Sequence, residues 1–203
     1  MEIRELGVPG SYVVDLTLHG DSRGRFTEWY RADLLAGVAG PVPPPAQANH
    51  SISARGVLRG VHFALVPPGQ AKYVYCPVGA VLDVVVDVRD GSPTFGAHEA
   101  VLLDSEEPRA VYLTEGLGHA FLSLTDGSSV TYLVSSTYDP SREFGIYPLD
   151  PELDLPWPQD IAVELSAKDA ATPTLREARA MGILPTMASC QEWNERSRND
   201  TAS

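Results

Sequence analysis

Apolar residues in this chain fall in short runs of β-branched and aromatic character, broken by Gly, Pro and Asp. Such runs between turn residues mark β-strands, whose side chains point to opposite faces in turn. It predicts strands over Tyr12–Leu18, Gly24–Tyr30, Ala46–Ser53, Val57–Phe63, Gln70–Pro77, Ala80–Arg89, Ala97–Leu103, Ala110–Leu113, His119–Leu124 and Ser129–Tyr138. The breaks are turn-forming: Pro67-Pro68-Gly69, Asp90-Gly91-Ser92-Pro93 and Asp126-Gly127-Ser128. Many short strands at this spacing predict an all-β sandwich or barrel. In the Ala80–Arg89 run, Leu82, Val84, Val86 and Val88 form an apolar face expected to meet the sheet–sheet core. Asp83, Val85 and Asp87 take the other face, with Asp83 expected as a structural hydrogen-bonding group and entry to a cavity as the alternative.

Helix is sparse. Arg31–Leu35 predicts one turn, and Thr174-Leu175-Arg176-Glu177 reads as a capping box opening a helix to about Met181. Pro41–Pro45 predicts a surface loop and Asp150–Asp160 an irregular, acidic segment. The polar residues from about 189 to 203 predict a mobile tail. No repeat or linker divides residues 1–203, so a single domain is expected.

Strand parity then gathers chemistry. Arg59 and His62 would point to opposite faces of a regular strand, but Gly60 lies between them, and an interior Gly often marks a bulge. A bulge brings both to one face. Gln70, Lys72 and Val74 share a face, as do Tyr132, Val134, Ser136 and Tyr138. If these faces line one interior, His62, Lys72, His119, Tyr132 and Tyr138 converge in one cavity. That set suits proton abstraction beside a ketone. A neutral imidazole takes the carbon-bound proton, a cation steadies the enolate oxygen, and a phenol returns a proton to the opposite face.

Composition sharpens this picture. The chain has 203 residues, 43% hydrophobic, enough for one well-cored domain. Its net charge of −12 and pI near 4.7 argue against nucleic-acid binding, which needs a broad basic face. An anionic small molecule would need basic residues gathered locally. Only Lys72 and Lys168 among the 15 basic Lys and Arg residues are lysines. No apolar run is long enough to span a bilayer, and Met1-Glu2-Ile3-Arg4-Glu5 lacks a signal-peptide core, so a cytoplasmic protein is expected. Cys76 and Cys190 are expected to be reduced and not catalytic.

Seven motifs occur in order: Asp21-Ser22-Arg23-Gly24-Arg25-Phe26-Thr27-Glu28, Gln47-Ala48-Asn49-His50-Ser51, Arg59-Gly60-Val61-His62, Gln70-Ala71-Lys72, Asp87 through Gly96, Gly118-His119-Ala120-Phe121, and Leu165-Ser166-Ala167-Lys168-Asp169. Together they resemble the dTDP-4-dehydrorhamnose 3,5-epimerase family from about residue 1 to 186. The resemblance implies a cupin-type double-stranded β-helix (jelly roll) with a few short peripheral helices. It also implies a homodimer, no metal or other cofactor, and a dTDP-4-keto-6-deoxyhexose substrate inverted at C3, C5 or both. By the matching motifs His62 would be the base, Asp169 its partner and Tyr132 the proton donor. Lys72 and His119 would sit near the keto group. Arg23, Glu28, Gln47, Asn49, Arg59, Glu143 and Lys168 would hold the nucleotide diphosphate, with Arg23 and Glu28 supplied by the partner subunit. Tyr138 would stack on thymine.

Two departures stand out. Ala120 replaces a common Gly, and His50 replaces a smaller residue. Both resemble the branch that makes unusual deoxysugars for secondary metabolites, some members of which invert one centre only. His50 is expected either to line the pocket or to brace a loop. Competing readings are a related keto-isomerase, a non-catalytic sugar-nucleotide binding module, and a metal-dependent cupin oxygenase. The last would need His50, His62 and His119 to converge without a His-x-His pair.

Overall fold

The computed structural model describes residues 1–201, with side chains through residue 196. Its strands are β1 (Glu2–Glu5), β2 (Ser11–Asp15), β3 (Leu18–Asp21), β4 (Gly24–Thr27), β5 (Gln47–Ser53), β6 (Val57–Ala64) and β7 (Lys72–Val78). They continue as β8 (Ala80–Val86), β9 (His98–Asp104), β10 (Arg109–Leu113), β11 (Gly118–Ser123), β12 (Ser128–Val134), β13 (Glu143–Gly145) and β14 (Glu164–Leu165). The helices are α1 (Ala32–Ala39), α2 (Ala167–Ala170), α3 (Leu175–Ala180) and α4 (Met187–Thr201). One sheet runs β1-β2-β10-β7-β12-β5 and the other β13-β6-β11-β8-β9, with β14 added in parallel to β6. A separate hairpin, β3-β4, stands apart. The two facing sheets form the cupin-like jelly roll expected from the sequence.

Each predicted strand is present, within a few residues at its ends. The Tyr12–Leu18 prediction merges β2 with the start of β3, and Gly24–Tyr30 overruns β4, which ends at Thr27. The short strands β1, β13 and β14 carry too few alternations to be read. The capping box is formed: Thr174 Oγ1 accepts from Glu177 N, and Glu177 Oε2 accepts from Thr174 N.

The apolar stripe of β8 is buried on the face opposite to the one predicted. Val81 and Val85 meet Val74, Val111, Val130 and Leu113 of the first sheet, together with Leu103 and Phe121. Val84, Val86 and Val88 instead face outward, beneath Ile146, Leu153, Trp157, Leu175 and Leu184. The chain after β13 folds back as a third layer over the second sheet, so both faces of β8 are dry. Alternation identifies which residues share a face, but not which of two buried faces meets the other sheet. Asp83 therefore lies in the interior. The outer face of the first sheet carries Tyr73 and Tyr112, covered by Leu35 of α1 with Trp29 and Tyr30.

The polar tail carries a helix that its sequence did not signal. Residues 187–201 form α4, anchored by Cys190, which is 3% exposed, and by the bond of Trp193 to the Glu115 carboxylate. Two anchors three positions apart share one helix face, and the polar residues around them hid the signal. Residues 202–203 of the predicted tail lie outside the described residues. The Asp87–Gly96 motif shapes the β8–β9 turn. Arg89 Nε, Ser92 Oγ and Thr94 Oγ1 donate to the Asp87 carboxylate at 2.8, 2.7 and 2.6 Å.

Candidate active site

Between the sheets lies a cavity of about 450 Å³. His62 and Arg59 enter from β6, His119 and Phe121 from β11, Lys72 from β7 and Tyr132 from β12. The segment 164–169 closes one side.

The bulge that sequence parity requires is present. On β11, His119 pairs with His62 and Phe121 with Arg59, so two steps of one strand face three of the other. Gly60 has φ +123°, and a Cβ there would lie 2.5 Å from Ala120 Cβ and 2.6 Å from the His119 carbonyl oxygen. No other residue fits that space. Arg59 and His62 consequently line the same cavity.

His62 Nε2 lies 2.6 Å from Asp169 Oδ1. With Nε2 donating to the carboxylate, Nδ1 is the ring nitrogen left for the cavity. Burial pushes the Asp169 carboxyl up, but hydrogen bonds from His62 and Ser166 and the charge of Lys168 outweigh it, leaving the group below the usual carboxylate range. Lys72 is only 7% exposed, and its Nζ sits 3.5 Å from the His62 carbonyl. Burial pushes its ammonium down to about 8, while the Glu143 and Asp83 carboxylates pull it back up. A second pair lies deeper, with His119 Nε2 2.7 Å from Asp83 Oδ2. Asp83 is fully buried, and its Oδ1 has no hydrogen-bond partner. Asp83 is thus the structural hydrogen-bonding group expected from the sequence: it holds His119, which lines the cavity, without lining the cavity itself. Tyr132 is raised by burial, with the Arg59 cation opposing and the Glu143 charge adding to the shift.

Other predicted residues lie at the margin. Gln47 and Asn49 share the face of β5 that carries Ser51, and Gln47 Nε2 donates to Asn49 Oδ1 at 2.7 Å. Arg59 Nε donates to Ser53 Oγ at 3.2 Å. Glu143 accepts from Gln70 Nε2 and from Asp139 N. Tyr138 does not line the cavity. It is 54% exposed, with its ring 5.9 Å from the Lys168 ammonium and its backbone N donating to Gln47 Oε1. The chain leaves β12 at Val134, so strand parity no longer carries Tyr138 inward. Arg23 and Glu28 are also outside. Arg23 pairs with Asp21 at the tip of the β3-β4 hairpin, and Glu28 pairs with Arg31.

Neither sequence departure forms part of the cavity wall. Ala120 faces the outer core layer. His50 is exposed on the far face of β5, with Nδ1 3.1 Å from Thr131 Oγ1, so it braces a strand pair rather than a pocket or loop. His50, His62 and His119 do not converge, and no group of three His, Cys, Asp or Glu side chains among the described residues is arranged to hold a metal ion. Sequence reasoning passed over Phe121, Ser51 and Ser166 as wall residues. Phe121 was within reach, being two positions from His119 on the same face.

Residues 5–177 match the dTDP-4-dehydrorhamnose 3,5-epimerase family. The chain belongs to this family of epimerases. A dTDP-4-dehydrorhamnose 3,5-epimerase of Mycolicibacterium smegmatis is 51% identical over 203 residues, covering all of both chains. The rmlC epimerase of Mycobacterium tuberculosis superposes with a TM-score of 0.94 at 48% identity, covering 98% of this chain and 100% of that one. ChmJ, a 3'-monoepimerase from Streptomyces bikiniensis solved in complex with dTDP-quinovose, gives a TM-score of 0.92 at 50% identity, covering 95% and 98%. The epimerase family thus holds both double and single inverters among relatives of near-equal similarity to this chain.

Proposed function

We propose that this protein is a cofactor-independent epimerase of a dTDP-4-keto-6-deoxyhexose, inverting C3, C5 or both. The observation that carries the reading is His62, backed by Asp169 at 2.6 Å, in one cavity with Lys72, His119 and Tyr132. His62 Nδ1 removes the proton from the carbon beside the C4 ketone, and the C–H electron pair moves into an enolate. The Lys72 ammonium and His119 steady the enolate oxygen. Tyr132, on the facing sheet, delivers its phenolic proton to the opposite face of that carbon. Solvent then returns a proton to Tyr132 and accepts one from His62. Arg59, Lys168, Gln47, Asn49 and Glu143 hold the nucleotide diphosphate at the mouth, and Tyr138 stacks on thymine.

The reading includes a homodimer in which Arg23 and Glu28 serve the partner's site. Its support is the placement of both residues away from their own cavity, on or beside an exposed hairpin that also presents Phe26 at 66% exposure. Sedimentation of the purified protein tests the dimer, and a monomer that retains full activity would remove it.

The reaction is tested in D2O with dTDP-4-keto-6-deoxyglucose. Deuterium is expected at C3, C5 or both, and His62→Ala abolishes the exchange. Absence of exchange at either carbon in the wild-type protein rejects the reading. The positions labelled also decide between double and single inversion, and the carbonyl position in the product separates epimerisation from keto-isomerisation.

A further inference from the structure

Asp169 does not hold His62 unaided. Its side chain is almost wholly buried, and its two oxygens have different partners: Oδ1 meets His62 Nε2 at 2.6 Å, and Oδ2 meets Ser166 Oγ at 2.9 Å. An ionised carboxylate only accepts, so the Ser166 hydroxyl is the donor in the second contact. The same Oγ accepts from Asp169 N at 3.0 Å as N-cap of α2, and Thr172 Oγ1 donates to the Asp169 carbonyl at 2.7 Å. Capping needs only a lone pair of the serine oxygen. Ser166 is exposed and has water available, yet its Oγ lies within donating distance of Oδ2, at 2.9 Å.

We propose that Ser166 is a positioning residue of the catalytic pair: by donating to Oδ2 it fixes the rotation of the Asp169 carboxylate that presents Oδ1 to His62. A carboxylate turns easily about its terminal bond, and a partner on one oxygen leaves the other to swing. With both oxygens fastened, the imidazole keeps one orientation and one tautomer, and Nδ1 stays aimed into the cavity. Outer partners of this kind in ligand-orienting networks are worth about 10–100-fold when removed. The inference rests on the epimerase reading above and adds to it a residue that does not touch the substrate's reacting carbon.

Three variants separate donation from capping. Ser166→Thr keeps both the donor and the cap. Ser166→Gly keeps a tolerable cap without a hydroxyl, and Ser166→Ala loses both. Each is measured for kcat and KM by solvent-deuterium exchange, for dTDP affinity, and for its melting temperature. The expectation is that Gly and Ala lower kcat about tenfold with KM and dTDP affinity within about twofold, while Thr stays within about threefold of wild type. In an Asp169→Asn background, Ser166→Gly is expected to cost nothing further. Wild-type kcat in Ser166→Gly overturns the proposal, as does an equal loss in Ser166→Thr, a loss confined to KM, or full additivity with Asp169→Asn. A loss in Ser166→Ala alone, tracking its melting temperature, assigns Ser166 to capping and also overturns it. Absence of exchange in the wild-type enzyme would strike the epimerase reading instead.

Discussion

Lys72 gives the sharpest test of the electrostatics. Its ammonium is moved from the ordinary 10.5 to about 8 because the strands around it exclude water. That displacement corresponds to roughly 3 kcal/mol against the charged form. If the ammonium steadies the enolate, kcat/KM follows its protonated fraction in the free enzyme. About half of that fraction remains at pH 8 and about a tenth at pH 9. The assay is deuterium exchange across about pH 6 to 9.5, with kcat/KM falling about tenfold per pH unit above 8. Tyr132 is raised above its usual value by burial, so it stays protonated and does not supply this limb. The bound diphosphate adds negative charge, so the limb in kcat lies at higher pH than in kcat/KM. Lys72→Arg, charged throughout, lowers the rate but removes the limb. A wild-type profile flat to pH 9.5, or the same limb in Lys72→Arg, refutes the reasoning. Stability carries the opposite sign. Between about 8 and 10.5 the unfolded chain binds more protons at this site than the folded one, so Lys72 adds to stability as pH rises through that window.

Tyr132→Phe is expected to keep deuterium exchange while losing inversion, because His62 can return a proton only to the face it came from. Product stereochemistry measured beside label content checks this, and inversion at the wild-type rate would refute it. Asp83→Asn leaves His119 without its anion and is expected to lower kcat about 10–100-fold. Asp83 also pulls Lys72 upward, so the basic limb of this variant moves to lower pH, and an unmoved limb would contradict that. Gly60→Ala places a Cβ against Ala120 and the His119 carbonyl at a positive φ, costing about 3 kcal/mol or more. A melting temperature within a few degrees of wild type would show that the bulge tolerates a side chain.

Much of this site was legible because its residues sit on strands. Parity placed Lys72 and Tyr132 on inward faces, and Gly60 announced the bulge that turns Arg59 and His62 together. Parity failed where regular structure ends. Tyr138 lies four residues past β12 and is turned outward, and Arg23 and Glu28 lie on or beside a hairpin that stands apart. It also failed where a strand is buried on both sides. The apolar face of β8 was identified correctly and assigned to the wrong neighbour, because nothing local to β8 reveals a third layer built some sixty residues later. The helix α4 was missed for a related reason: two anchoring side chains suffice to dock it, and they are diluted by a polar sequence.

The chain that forms this third layer also brings Asp169 to His62, so one late segment seals the second sheet and supplies the carboxylate partner of the proposed base. A protein cut short before that aspartate would lose Leu175, Ala178 and Leu184 from its outer apolar cover together with the carboxylate that meets His62. Turnover in this enzyme is therefore a direct report on whether its final stretch has settled into place, and variants that loosen that stretch should register first as lost catalysis, before bulk unfolding is seen.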